Sequence, residues 1–391
     1  MGGIKFIRQN GGLSRKLAGD DHISGLIVYG DAVFAKKLLL SEDELETNGI
    51  TATSHPVLHY HVSEFFRIAS GAKLYIQSVA ASDGNYSEIK VLQNFAEGNI
   101  KQIAICDYKT SVSGLEAAMT RLNTIATELG DLNTPLSVLL SMKVVTADMV
   151  ALPDLHSFDN ERVSFVLGQD AGGRGMYLKT TQPSLSNIGA ALGAVALSKV
   201  HESIEWVEKF DLVSTTYPKA LTGGNVLARE LDVLGLCDGT LISDYTAAQL
   251  KSIQDKGYIF GIKHIGTTGS FFNASSTAAD LESDYLYIEN NRTIDKAIRQ
   301  INKKLLPKLS GPAYVDADTG FLNLETVSAL EALASEPLDR MFRDGELSGF
   351  TLQIDPNQQV LRDSKLEVIV KLIPVGTLRE LIVKIGLTLK K

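Results

Sequence analysis

The chain has little cysteine, no long apolar run and no excess of positive charge. Only Cys106 and Cys237 occur among 391 residues, each after an apolar residue, so we expect buried thiols without a disulfide framework or zinc cluster. The longest nearly uninterrupted apolar stretch, residues 188–197, is far shorter than the roughly 20 residues of a membrane span. The first residues also lack the apolar run of a signal peptide.

The charge balance is acidic. Lysine and arginine number 38 against 46 aspartates and glutamates, which gives a net charge of −8 and argues against a basic face for nucleic acid or anionic lipid. Hydrophobic residues make up 44% and charged residues 21%, values typical of a folded globular chain. A mean hydropathy of +0.05 is slightly apolar for such a chain and favours apolar surface buried between subunits.

A glycine-rich loop is the first candidate for chemistry. A strand predicted at residues 163–167 leads into Gly168, Gly172, Gly173 and Gly175, and backbone N–H groups in such a loop can hold a phosphate. The spacing matches neither GxGxxG nor GxxxxGK[ST], and we expect no helix directly after the loop. A connecting loop is therefore favoured, and the alternative is an α/β enzyme that binds a phosphate-containing ligand between Gly172 and Gly175.

Other motifs are equally weak. His55, His59 and His61 cluster, but a proline follows His55 and no HExxH pattern is present, so we expect half-buried histidines rather than a metal site. Asp316 and Asp318 resemble the start of a calcium loop without its later acidic ligands. There is no GxSxG elbow. We therefore predict no catalytic residue, no metal, no cofactor and no enzymatic activity.

Short apolar segments alternate with helical patterns through the first half of the chain. Strands are predicted at residues 25–30, 73–79, 102–106, 136–140 and 163–167, with helices between them. This alternation predicts an α/β fold with mixed or parallel sheets covered by helices. A long helix is predicted over residues 187–209, with Trp206 packed in the core.

The last third is again α/β in pattern. Asn323 is predicted to cap a helix that Pro337 ends, with a second short helix starting at Pro337 and ending at Gly345 as a further possibility. Arg292 and Asp295 have the i, i+3 spacing of a helix-surface ion pair. A loop-like stretch with a proline and paired glycines suggests the main boundary. We accordingly divide the chain into an arm (1–20), an N-terminal α/β part (21–215), a C-terminal α/β part (216–373) and a last strand (374–391).

The two ends stand out. The first twenty residues are punctuated by glycine, with a short strand expected at residues 4–7. Residues 366–373 alternate apolar side chains, and after Pro374 and Gly376 an apolar row follows on one face: Leu381, Val383, Ile385, Leu387 and Leu389. Such a strand must pair with something, because an exposed apolar edge promotes aggregation.

These features resemble contractile tail sheath proteins. Residues 284–299 have the order of a short strand, an arginine and a helix that begins near Thr293, and residues 366–389 match the two-strand ending of sheath proteins. The segment of residues 59–67, His-Tyr-His-Val-Ser-Glu-Phe-Phe-Arg, looks like the sheath variety of Bacteroidota phages and prophages. The chain lacks the large inserted surface domain of bigger sheath proteins, so the resemblance implies a compact sheath-like core.

The resemblance also implies how the ends work. An extended N-terminal arm and a C-terminal strand would be donated to neighbouring copies, through Ile4, Phe6, Ile7, Leu381, Val383, Ile385, Leu387 and Leu389. Copies would form a helical tube around an inner tail tube protein, contact baseplate and terminator proteins, and contract. Such a subunit would be assembled in the bacterial cytoplasm and reside in a phage tail or tail-like particle. A tube or shell component without contraction is a further alternative.

Overall fold

The computed structural model describes residues 16–146, 149, 151–182, 184–217 and 228–387. The strands are β1 (Ser24–Tyr29), β2 (Phe34–Leu39), β3 (Leu74–Val79), β4 (Gln102–Ser111), β5 (Ser137–Lys143), β6 (Val163–Phe165), β7 (Gly168–Asp170), β8 (Leu234–Leu236), β9 (Gly261–Ile262), β10 (Phe271–Phe272), β11 (Gly349–Gln353) and β12 (Ile369–Ile373). The helices are α1 (Glu44–Thr47), α2 (Pro56–Ile68), α3 (Glu88–Phe95), α4 (Leu115–Asp131), α5 (Arg174–Thr181), α6 (Ile188–Leu197), α7 (Ala247–Asp255), α8 (Ile288–Leu305), α9 (Leu324–Arg343) and α10 (Val360–Asp363).

A six-stranded sheet organises the first half of the chain. Its strand order is β2-β3-β1-β4-β5-β6, and every neighbouring pair is parallel except β2 with β3. Parallel strands need crossover connections, and the helices between the strands supply them. The predicted α/β class, with a mixed sheet covered by helices, is confirmed. Within the described ranges no helix is long and apolar enough to cross a bilayer.

Both faces of this sheet are buried. Neighbouring residues of β1 point to opposite sides, so that Val28 packs with residues of α2 and α6, whereas Ile27 packs with residues of α3 and α4. This explains why the central strands are apolar throughout instead of alternating. Cys106 and Cys237 are buried and free, as expected from their apolar surroundings.

Helices α2 and α6 touch backbone to backbone. A Cβ atom on Gly189 would lie 2.7 Å from Cα of His61 and closer still to its carbonyl oxygen. Gly193 similarly faces the carbonyl oxygen of Phe65, 3.0 Å from where its Cβ would be. Only glycine permits this approach, which buries α6 on all sides.

The long helix predicted over residues 187–209 is wrong in length. Helix α6 ends at Leu197, and Ser198 has an extended backbone. The carbonyl oxygens of Ser198 and Lys199 accept hydrogen bonds from the Arg292 guanidinium, at 3.2 Å each, instead of continuing a helix. Trp206 therefore lies beyond the helix and is 45% exposed, so its predicted place in the core is also wrong.

The C-terminal part packs α8 against α9 and a small sheet. The side chain of Asn323 accepts a hydrogen bond from the Glu325 amide, which confirms the predicted cap. The helix does not end at Pro337 as predicted but runs on to Arg343. Proline costs a helix interior about 3 kcal/mol. Burial of Pro337, Leu338 and Met341 against the neighbouring elements offsets this cost.

We predict that Gly189→Ala lowers the free energy of unfolding by about 1–3 kcal/mol, because the added methyl group would push α6 away from α2. Gly130→Ala is the matched control, since it also lies in a helix but has no atom within 4 Å of the added Cβ. There we expect a gain of about 0.5–1 kcal/mol from helix propensity. Chemical denaturation of both variants measures the difference, and equal stabilities would contradict the close-packing explanation.

Candidate assembly surface

The described part of the apolar row at the C-terminus is exposed to solvent. Residues 374–387 form neither helix nor strand, and Leu381, Val383 and Ile385 are 77%, 75% and 90% exposed. Leu387 is equally exposed, whereas Leu389 lies outside the described residues, as do Ile4, Phe6 and Ile7. A row of large apolar side chains in water is unfavourable by roughly 1.5–3 kcal/mol per residue relative to burial. Of the residues predicted to meet a neighbouring copy, the four described ones, Leu381, Val383, Ile385 and Leu387, are thus available for one; the pairing itself stays a prediction.

A two-stranded sheet precedes this segment. Strands β11 and β12 pair antiparallel, with Gly349 opposite Ile373 and Gln353 opposite Ile369. One face packs toward α8 and α9 through Phe350, Leu352, Val370 and Leu372. In the described part of the chain both outer edges of this sheet lack a partner strand. Unpaired N–H and C=O groups at such an edge are a template for another strand.

Helix α8 attaches this C-terminal sheet to the rest of the subunit. Its first half is buried although it carries Arg292, Asp295 and Lys296. Asp295 receives two hydrogen bonds from Arg162, of 2.7 and 2.9 Å, and Lys296 donates to both Asp21 and Glu346. Burial lowers the pKa of the Arg292 guanidinium to about 10. The surface ion pair predicted between Arg292 and Asp295 is wrong, because each is buried and bonds to distant parts of the chain.

The segment that leads to the apolar row carries one polar anchor that the sequence analysis missed. The Arg379 guanidinium lies 3.5 Å from the centre of the Tyr287 ring, donates to Glu205 at 2.8 Å and to Ser275 at 3.3 Å, and pairs with Glu289. Its partners come from three separate regions of the chain. One arginine, between Leu378 and Glu380, was the available signal, but the sequence does not name its partners.

The glycine-rich loop is filled by the chain's own carboxylates. The amides of Gly172, Gly173 and Gly175 donate to Asp170, and the amide of Arg174 donates to Glu230. Burial, and next the hydrogen bond with the Asp170 carboxyl, raise the pKa of Glu230 to about 9. Helix α5 begins at Arg174, so the expectation that no helix follows the loop is wrong. The donors that a phosphate would need are already occupied.

The histidine cluster does not converge. His61 is fully buried in α2, beside Cys106, and burial lowers the pKa of its imidazole to about 3. His55 instead bonds to the neighbouring Ser54 at the surface. Within the described ranges no group of three or more histidine, cysteine or acidic side chains could hold a metal ion.

The fold is similar to that of contractile sheath proteins over its whole length. A chain in the anti-feeding prophage helical sheath in the contracted state matches with a TM-score of 0.64 and 15% identity, covering 98% of each chain. The extracellular contractile injection system PVC sheath complex in the contracted state matches with a TM-score of 0.62 and 11% identity, covering 100% of this chain and 98% of the other. The predicted resemblance to sheath proteins is thus confirmed as a likeness of fold.

A crystal structure of the sheath tail protein from Desulfitobacterium hafniense also matches, with a TM-score of 0.54 and 10% identity, covering 95% of this chain and all of that one. No curated protein matches the chain by sequence. Two family models cover nearly all of it: the DUF2586 N-terminal domain matches residues 1–276, and the DUF2586 C-terminal domain matches residues 284–391. The chain therefore belongs to the DUF2586 family.

Proposed function

We propose that this protein is the structural subunit of a contractile tail sheath. The observation that carries the proposal is the likeness of fold along the full length of both compared chains, which leaves no separate domain to explain. Copies would polymerise into a helical tube around an inner tube and contract to drive it through a target cell envelope. The role is structural rather than catalytic, and it requires no cofactor.

Strand exchange is the proposed contact between copies. The C-terminal strand of one copy, with Leu381, Val383, Ile385, Leu387 and Leu389 on its buried face, would add to an edge of the β11–β12 sheet of a neighbour. The N-terminal arm would add Ile4, Phe6 and Ile7 to the same type of contact. Backbone hydrogen bonds would hold the strands, and the alternating side chains would fix their register.

Repetition of such a contact accounts for the shape of the assembly. A head-to-tail contact that does not close on itself produces a helical tube. During contraction the core would rotate as one body while the exchanged strands stay paired, and the stored energy would reside in the packing between subunits. Inner tube, baseplate and terminator proteins are the proposed partners in a phage tail or tail-like particle assembled in the bacterial cytoplasm. The division of the core at residue 215 stays a prediction.

We predict that removal of residues 378–391 leaves a folded monomer that forms no tubes, because the donated strand is lost while the described core keeps all its contacts except those with Arg379. Negative-stain electron microscopy of purified full-length and truncated protein measures assembly, and circular dichroism checks the fold. Normal tubes from the truncated protein would contradict strand donation.

Removal of residues 1–20 should weaken assembly.

The two faces of the strand offer a matched pair of substitutions. Ile385→Ser lies on the face proposed to be buried, and Ile382→Ser lies on the opposite face; both isoleucines are more than 70% exposed in the single subunit. Loss of one buried aliphatic side chain costs roughly 1.5–3 kcal/mol per contact, so we expect Ile385→Ser to raise the protein concentration needed for assembly at least about tenfold. Ile382→Ser should change it little, and equal effects would exclude one-sided burial.

The alternative enzyme function has a separate test. Because Asp170 and Glu230 occupy the amides of the glycine-rich loop, we predict that ATP, sugar phosphates and inorganic phosphate leave the melting temperature unchanged. A thermal-shift series at millimolar ligand measures this. A reproducible rise with one phosphate compound, abolished by Gly173→Asp, would support the phosphate site instead.

A further inference from the structure

The chain between β12 and the apolar row is held to its own subunit by hydrogen bonds at two points: the Pro374 carbonyl oxygen, which accepts from the Ser348 hydroxyl, and the Arg379 side chain. Among the described residues 375–387, Arg379 is the residue that makes hydrogen bonds or ion pairs with the rest of the subunit. Its neighbours Leu378 and Leu381 are 83% and 77% exposed. The contact therefore separates a root, residues 374–379, from the apolar row that follows.

The binding site for Arg379 is built by elements far apart in sequence. Glu205 follows α6, Ser275 follows β10, and Glu289 is the second residue of α8. Tyr287 provides an aromatic face on which the guanidinium stacks, an arrangement that favours arginine over lysine. We call these four residues, Glu205, Ser275, Tyr287 and Glu289, the arginine socket.

The arginine socket is poorly suited to being empty. Glu289 is only 3% exposed, and within the described ranges its second carboxylate oxygen has no hydrogen-bond partner. Burial raises the pKa of the Glu289 carboxyl, and the Arg379 guanidinium is the strongest influence that opposes this rise. A buried carboxylate that loses its cation is strongly disfavoured, so the socket favours the bound root.

We propose that Arg379 is a positioning residue for strand donation, and that the arginine socket fixes the point at which residues 380–387 leave the subunit. The inference rests on the proposed sheath function. Without the contact, the five residues 375–379 could swing over roughly 17 Å at full extension, since Pro374 stays bonded to Ser348. With it, the strand starts from one place before a neighbour arrives, which lowers the entropy cost of pairing.

The chain offers a direct reporter of this contact. Trp206 is its one tryptophan, and it lines the same groove of about 980 Å³ as Thr377, Leu378 and Arg379. Both native cysteines are buried, so Thr377→Cys supplies one accessible thiol for bimane, a dye that nearby tryptophan quenches. Trp206→Phe in the labelled protein defines the unquenched emission.

In the labelled monomer we expect quenching that disappears in Arg379→Ala and weakens in Arg379→Lys, which keeps the charge but loses the stacked, forked geometry. Glu289→Gln should also weaken the quenching, although it leaves the C-terminal segment unchanged. Lys384→Ala removes a charge from that segment outside the arginine socket and should keep the full quenching. Full quenching in Arg379→Ala, with circular dichroism unchanged, would overturn the proposal.

Assembly provides the second measurement. We expect unlabelled Arg379→Ala to need about ten- to a hundredfold more protein than wild type to form tubes, the loss that matches one charge-assisted contact. Tubes at the wild-type concentration would overturn the positioning role. If wild-type protein forms no tubes, the sheath function fails instead, while the quenching measurement still decides whether the arginine socket holds the root.

Discussion

Burial of Arg292 is the constraint on which the arrangement of the two halves depends. A guanidinium away from water must place its N–H groups on acceptors, and this one uses the Ser198 hydroxyl and the carbonyls of Ser198, Lys199 and Asp21. These hydrogen bonds hold the chain in a non-helical conformation directly after α6. They also place Asp21, just before β1, next to α8. Asp295 and Lys296, on the same helix, extend the polar contact to Arg162, Asp21 and Glu346.

This contact favours a subunit that moves as one body. Buried charges tolerate little displacement, because each lost partner leaves an uncompensated charge away from water. Burial raises the pKa of the Asp21 carboxyl, but the ion pair with Lys296 outweighs this and lowers it. Lys296 also binds Glu346, so the ion pair joins the two parts of the chain. The terminal segment is the opposite case, since the described residues of its apolar row, 381–387, make no such contact. The buried charged residues of α8 therefore keep the core rigid, whereas the apolar row is not tied to the core by such contacts.

The sequence predicted what depends on local pattern. Alternation of strands and helices, the cap at Asn323 and the buried cysteines follow from residue type and spacing, and all three are found in the structure. The length of α6 and the burial of Asp295 are set by partners more than thirty residues away in sequence. The continuation of α9 through Pro337 is set by packing between helices. A periodic pattern in the sequence reports neither.

The side-chain pattern of the last strand matches the sheet that precedes it. In β12, Val370 and Leu372 pack toward the helices, and Lys371 points to the other face between two isoleucines. In the terminal segment the apolar row alternates with Ile382, Lys384 and Gly386, which again places a lysine at the centre of the opposite face. A strand added to this sheet in register would continue both faces: apolar toward α8 and α9, with a lysine in solvent. A lysine at that position also disfavours stacking of a second sheet, so the same pattern that permits pairing between subunits opposes uncontrolled aggregation.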